Sequence, residues 1–310
     1  MTTKIEWTHR PGTTGETWNP VTGCTKVSEG CHRCYAERMA RRLAGRYGYP
    51  EQPRHFDVTL HPDRLEEPLR WRKPRTVFVC SMGDLFHEDV PIEFIDKVFA
   101  VMALSPAHTF QVLTKRPDRM KTYLEYNKGQ IEYVWLVNAL RHGIHIGQRR
   151  HLEWPLANVW CGTTAENQRT ADERIPLLLQ TPAAVQFVSC EPLLSHIDLV
   201  QSVNKLHWLD KASLEPGGID WAIVGGESGP GARPMHPEWA RSIQNQCQEA
   251  GVAFLFKQWG AWAWPGYAWS ETDWQHPEAQ RVNDAGPPKR VGKKAAGRLL
   301  DGREYNEWPK

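Results

Sequence analysis

Cys24, Cys31 and Cys34 crowd three thiols into the run from Gly23 to Tyr35, close to the start of the chain. A soft metal centre is the most economical reason for such crowding, because thiolates are the ligands that soft metals and iron-sulfur clusters select. Three thiolates hold three irons of a [4Fe-4S] cluster and leave the fourth open to an exogenous ligand, whereas an electron-transfer ferredoxin fills all four corners with cysteine. A structural zinc site uses the same ligand types, with His32 or a distant histidine completing a Cys3His set. His32 itself lies too close between Cys31 and Cys34 to close a tetrahedron comfortably with both. Three unpaired buried thiols are the third reading.

Beyond Cys34, apolar residues at Ala36, Met39, Ala40 and Leu43 repeat with the spacing of one helical face, which predicts a helix from Tyr35 to Ala44. The thiol loop thus runs into a helix N-terminus, whose amides and dipole favour anionic sulfur. Gly23 and Gly30 permit the backbone to curl, and Tyr35 is placed to pack over a cluster or a bound adenine.

Six short apolar runs have the length of buried parallel strands: residues 76–80, 110–113, 158–161, 185–188, 221–224 and 252–256. Residues 91–104, 172–179 and 237–250 between them have helical periodicity, the last ending at Gly251. Alternating strands and helices predict an α/β fold with a parallel sheet, open or closed. A strand preceding the thiol loop is only a fragment, Glu16-Thr17-Trp18, with Ile5-Glu6-Trp7 as its competitor. Residues 120–155 are expected to add helices, and 201–218 reads as a loop or insertion.

Each strand is followed by a polar cluster: Ser81 to Asp84, Thr114-Lys115-Arg116, Gly162 to Glu166, Ser189-Cys190-Glu191, Gly225-Gly226-Glu227-Ser228 and Lys257-Gln258-Trp259. In a barrel of parallel strands these ends share one face, where such folds place their active sites. Loop chemistry alone accounts for Gly, Ser and Thr there, but not for charged residues returning at one offset. Cys80, Cys161 and Cys190 also end strands. They raise a second metal centre, against the ordinary fate of free cysteine as a small buried filler, which is also expected of Cys247.

The bulk properties of the 310 residues narrow the class. With 24 % charged residues and a formal net charge of +2, the whole molecule does little to steer a polyanion, so any nucleic-acid contact must come from a local patch. Two basic runs qualify. One is Arg38, Arg41, Arg42 and Arg46; the other is Arg281, Lys289, Arg290, Lys293, Lys294 and Arg298, beside Trp259, Trp262, Trp264, Trp269 and Trp274. Interleaved bases and aromatics suit a phosphate backbone with stacked nucleobases, while charge runs of this kind also occur as solvated faces. Seven cysteines without a secretory segment or an apolar membrane span fit a soluble protein of a reducing cytoplasm.

The loop ending Cys31-His32-Arg33-Cys34-Tyr35 resembles the cluster loop of the radical S-adenosylmethionine (SAM) superfamily, with six residues between the first two cysteines where three are commonest. The motifs Trp18-Asn-Pro-Val-Thr-Gly-Cys24, Ser81-Met-Gly-Asp-Leu-Phe-His87, Leu113-Thr-Lys-Arg-Pro117, Cys190-Glu-Pro-Leu-Leu194, Val224-Gly-Gly-Glu-Ser-Gly229, Phe256-Lys-Gln-Trp-Gly260 and Leu300-Asp-Gly-Arg303 resemble, over residues 5–309, a phage-associated radical-SAM-like family of unknown function. The resemblance implies a partial (β/α) barrel of the radical-SAM type over residues 1–260 and a Trp-rich C-terminal extension over 261–310, packing on the barrel mouth. It implies a [4Fe-4S] cluster on Cys24, Cys31 and Cys34, SAM as cofactor, an electron donor such as flavodoxin or ferredoxin, no membrane, and the cytoplasm of a phage host. By position in that fold, Ser81 and Asp84 would hold the methionyl ammonium. Thr163, Glu166 and Glu191 would meet ribose hydroxyls, and Gly225 and Gly226 would let backbone approach the adenine. Lys115, Glu227 and Lys257 are the candidates for catalytic work, with Lys115 and Arg116 suited to a carboxylate or phosphate. The substrate this implies is a modified nucleobase in phage DNA, such as an amino-acid-substituted thymine. A repair lyase and a non-catalytic, zinc-stabilised nucleic-acid-binding protein are the alternatives.

Overall fold

The structure, a computed structural model, describes residues 3–144, 151–201, 206–209, 218–264 and 286–309. Trp269, Trp274 and Arg281 of the basic and aromatic run, and parts of the expected insertion and of the 261–310 extension, lie outside the described residues.

Seven strands carry the architecture: β1 (Thr14–Trp18), β2 (Arg75–Val79), β3 (Thr109–Thr114), β4 (Val159–Thr164), β5 (Val185–Cys190), β6 (Trp221–Gly225) and β7 (Ala253–Gln258). Their order in the sheet is their order in the chain, and the pairings β1–β2, β2–β3, β3–β4, β5–β6 and β6–β7 run parallel. Helices occupy the connections: α1 (Tyr35–Leu43), α2 (Ile92–Leu104), α3 (Pro117–Tyr126), α4 (Lys128–Arg141), α5 (Gln168–Leu179) and α6 (Pro237–Ala250). This is an α/β fold whose sequential parallel sheet is compatible with a partial (β/α) barrel. No helix among the described residues is long and apolar enough to cross a membrane. Two compact units divide the chain. The first comprises Met1–Val27, Cys34–Thr163 and Gln180–Gln186, and the second Ser28–Arg33, Thr164–Leu179 and Phe187–Lys310.

In the first unit the uncertain strand is β1, in register with β2 from Thr14 opposite Arg75 to Trp18 opposite Val79. Its competitor is a 3-10 turn, Glu6–Thr8. β1 lacks an apolar run because it buries by other means. Glu16 is enclosed by an ion pair with Arg75, and the buried Trp18 indole donates to the Arg64 carbonyl at 2.8 Å. β4 is buried at every position, which is why it reads as a continuous apolar run. α2 packs nine of its residues inward, and α3 and α4 are the helices expected between residues 120 and 155.

In the second unit α5 starts four residues earlier than its periodicity predicts. Asn167 Oδ1 accepts from the Thr170 amide at 3.0 Å, while Thr170 Oγ1 accepts from the Glu166 and Asn167 amides at 2.9 and 3.2 Å. That reciprocal cap supplies partners for otherwise orphaned helix-end donors. α6 follows the predicted bounds, with Pro237 at its first position and Gly251 closing it at φ +67°. Residues 305–307 run antiparallel beside β7: the Phe256 amide donates to the Tyr305 carbonyl at 3.1 Å and the Glu307 amide to the Phe254 carbonyl at 3.1 Å. The end of the chain thereby covers backbone groups that an edge strand would leave unpaired.

Candidate functional site

In the first unit the motif around Cys24 works as a clamp between the loops after β1 and β2. Asn19 Oδ1 accepts from the Ser81 hydroxyl at 3.2 Å and from the Met82 amide at 3.0 Å. The Gly23 amide donates to the Met82 carbonyl at 2.9 Å. Gly23 has φ +83°, and a Cβ there would overlap the Asp57 carbonyl, so only glycine lets the chain turn into Cys24. Ser81 is therefore a loop-clamping residue as well as a candidate ligand contact.

Asp84 faces inward, 5 % exposed. Its Oδ1 accepts from the Thr114 hydroxyl at 2.7 Å and the Phe86 amide at 3.0 Å, and its Oδ2 from the Lys115 amide and Arg116 Nη1, each at 3.2 Å. Both oxygens are engaged by protein donors, which gives Asp84 a positioning role beside its candidacy as a contact for a methionyl ammonium. What Asp84 positions is Arg116, 8 % exposed. The Arg116 guanidinium also donates from Nε to Glu88 at 2.8 Å, from Nη2 to the Thr25 hydroxyl at 2.8 Å and from Nη1 to Cys24 Sγ at 3.5 Å. Burial alone would lower its pKa, but the charges of Asp84 and Cys24 and the bond to Glu88 raise it. It is a fixed cation. His87 Nδ1 accepts from the Asp89 amide at 3.1 Å, which in the neutral ring leaves the proton on Nε2, 2.8 Å from Thr25 Oγ1. Burial, then Arg116, pushes the His87 pKa down and favours that neutral form. Thr163 is fully buried and its hydroxyl donates to the Thr114 carbonyl at 2.9 Å, which joins β3 to β4.

In the second unit Glu166 is wholly buried. It accepts from the Ser28 hydroxyl at 2.7 Å and from Arg174 Nη1 at 3.1 Å. Glu166 thereby docks the segment that precedes Cys31, a role that stands beside its candidacy for a ribose hydroxyl. Glu227 does the same further along: it takes a two-pronged bond from Arg233, at 3.0 and 2.8 Å, and lies 3.6 Å from Arg33 Nη1, between Cys31 and Cys34. Arg233 in turn donates to the Glu29 carbonyl at 3.1 Å, and its bond to Glu227 raises its pKa. Arg290 Nη2 reaches the Gly229 carbonyl of the same loop at 3.0 Å.

Glu191 and Lys257 form a bidentate pair, Nζ lying 2.7 and 2.8 Å from the two carboxylate oxygens. They follow β5 and lie on β7, with β6 between. Gly225 lies against the pair, where a Cβ would come 3.3 Å from the Glu191 carboxyl carbon. Gly226 serves packing: a Cβ would overlap the Trp259 carbonyl. Tyr35 opens α1 and is 60 % exposed.

The seven cysteines, none of them in a disulfide, separate into two groups. Cys80, Cys161, Cys190 and Cys247 are buried, and burial pushes their thiols up, to about 12 for Cys161 and Cys190. Burial favours their protonated form, the ordinary state of cysteine packed as a small apolar filler. Cys24 and Cys34 are half-exposed, Cys34 immediately preceding α1, and Cys31 ends a 3-10 turn with its sulfur 3.7 Å from Ser28 Oγ. Among the described residues no three His, Cys, Asp or Glu side chains gather as a single metal ion requires. A [4Fe-4S] cube asks for something else, one thiolate at each of three irons, and the three cysteines of the loop entered through Gly23 match that donor set in type and number.

Sequence reasoning passed over Thr25, Ser28, Arg33, Glu88, Arg174 and Arg233, and gave Arg116, like Lys115, to a carboxylate or phosphate. Arg33 and Thr25 had a signal, since both sit inside the thiol loop. Arg174 and Arg233 had none, being brought in by the folding of α5 and of the 227–233 loop. No curated protein and no solved structure matches the chain. A model of the family described as Protein of unknown function (DUF5131) matches residues 2–309, nearly the whole length, and the chain belongs to that family.

Proposed function

We propose that this chain is a radical-SAM enzyme that holds a [4Fe-4S] cluster through Cys24, Cys31 and Cys34 and acts on a modified nucleobase in DNA. The observation that carries the proposal is the division of the cysteines: burial pushes four thiols up, and the other three share one loop, on which Cys24 and Cys34 are half-exposed and Cys31 is buried beside Ser28. The chemistry such a cluster supplies when bound is one-electron reductive cleavage of SAM to a 5′-deoxyadenosyl radical, with flavodoxin or ferredoxin as electron source. The chain's own residues bind and orient. Gly23 and the Asn19 clamp set Cys24, and Glu166 and Glu227 set the segment carrying Cys31. Lys257 and Glu191 offer a paired cation and carboxylate to SAM or substrate, and Lys115 a cation to a carboxylate or phosphate. The nucleic-acid substrate is supported by three guanidiniums, Arg33, Arg233 and Arg290, collected by the 227–233 loop, a grouping suited to phosphodiester oxygens.

Anaerobic purification and reconstitution followed by iron, sulfide and zinc analysis tests the proposal. Iron and labile sulfide are expected, lost in Cys24→Ala, Cys31→Ala and Cys34→Ala but kept in Cys161→Ala and Cys190→Ala. SAM and a strong reductant should then yield 5′-deoxyadenosine. Zinc without sulfide would identify the non-catalytic binding protein instead. Mass spectrometry of nucleosides from phage DNA made with and without the protein reads the substrate, and an unchanged profile would sink the base-modification part.

A further inference from the structure

Arg116 is buried, charged and aimed. Its Nη1 lies 3.5 Å from Cys24 Sγ, and Asp84, Glu88 and Thr25 accept from its Nη1, Nε and Nη2 at 3.2, 2.8 and 2.8 Å. A guanidinium held by three partners keeps one orientation, and one that is itself 8 % exposed acts on a contacting sulfur with less screening than a solvated charge. From this geometry we infer that Arg116 is a positioning and tuning residue that donates a hydrogen bond to the Cys24 sulfur and sets the reduction potential of the cluster. The inference rests on the proposal that Cys24 ligates a cluster, and it adds a control on how readily that cluster takes an electron. A hydrogen bond and a positive charge at a ligand sulfur stabilise the reduced, more negative cluster and so raise its potential. The anions around Arg116 work against it. Asp84 and Glu88 offset part of the charge, and Glu88, with a side chain 63 % exposed, is the member that can be altered without disturbing the interior.

The two sides of this balance predict shifts of opposite sign. In an EPR-monitored redox titration of the reconstituted protein, Arg116→Gln should move the midpoint to a more negative potential. Arg116→Lys, which keeps a charge but loses the planar fork, should fall between that variant and the parent. Glu88→Gln should move the midpoint to a more positive potential, because an opposing charge is gone. Iron and sulfide per chain are measured in each sample. Unchanged midpoints in fully loaded Arg116→Gln and Glu88→Gln, or shifts in the same direction, would overturn the inference. If Arg116→Gln does not load, Glu88→Gln decides the matter alone. Parent protein without labile sulfide overturns the cluster proposal itself and the inference with it, an outcome distinct from a loaded parent with indifferent variants.

Discussion

At the scale of single residues, the acidic side chains at strand ends hold the protein's own cations and hydroxyls rather than standing open. Glu166 is the clearest case, wholly buried with Arg174 and Ser28 as partners. Glu166→Ala leaves the Arg174 cation buried without its carboxylate, which in comparable pairs costs about 3–5 kcal/mol. A urea titration should show a loss of that size. Unchanged stability with weakened SAM binding would instead favour the ribose contact. Gly23→Ala is expected to be more damaging to the site than to the core, since it forces a Cβ against the Asp57 carbonyl in a left-handed turn next to Cys24. Loss of iron after reconstitution, with the far-ultraviolet circular dichroism retained, is the expected result.

At the scale of elements, termini are set by local chemistry more than by periodicity. α5 begins at its Asn167 and Thr170 cap, so Asn167→Ala should cost about 1 kcal/mol. α6 ends at Gly251, where φ is +67° and a Cβ would meet open space. The cost of Gly251→Ala is then backbone strain alone, about 1–2 kcal/mol. Denaturation midpoints read both changes, and equal stability of Gly251→Ala and the parent would contradict the left-handed cap.

At the scale of the whole molecule, buried neutral histidines tie stability to pH. His61 is buried beside Thr22, 2.8 Å from its hydroxyl; burial and then Arg64 push its pKa down to about 4. Burial also lowers that of His108. Between that value and the ordinary histidine pKa near 6.5 the unfolded chain binds more protons than the folded one, so stability rises with pH across the window and falls on acidification. The melting temperature should be level above pH 7 and drop by several degrees towards pH 5, with a shallower slope in His61→Gln. A slope unchanged by that substitution would assign the effect to other groups.

The six apolar strands, the helix after Cys34 and the helix ending at Gly251 were legible in the chain because burial on both faces of a parallel sheet, and on one stripe of a helix, writes a period into the residues that meet it. β1 was not, because Glu16 is buried by an ion pair with Arg75, fifty-nine positions away, and leaves no apolar signature. The three thiols and the loop they share are a matter of spacing, so the sequence by itself determined the candidate ligand set. Which charges face which could be decided only by the tertiary structure: Asp84 on Arg116, Glu166 on Arg174, Glu227 on Arg33 and Arg233. Ion pairing acts through space over a few ångströms and carries no period along the chain, and the fold alone brings such partners within reach.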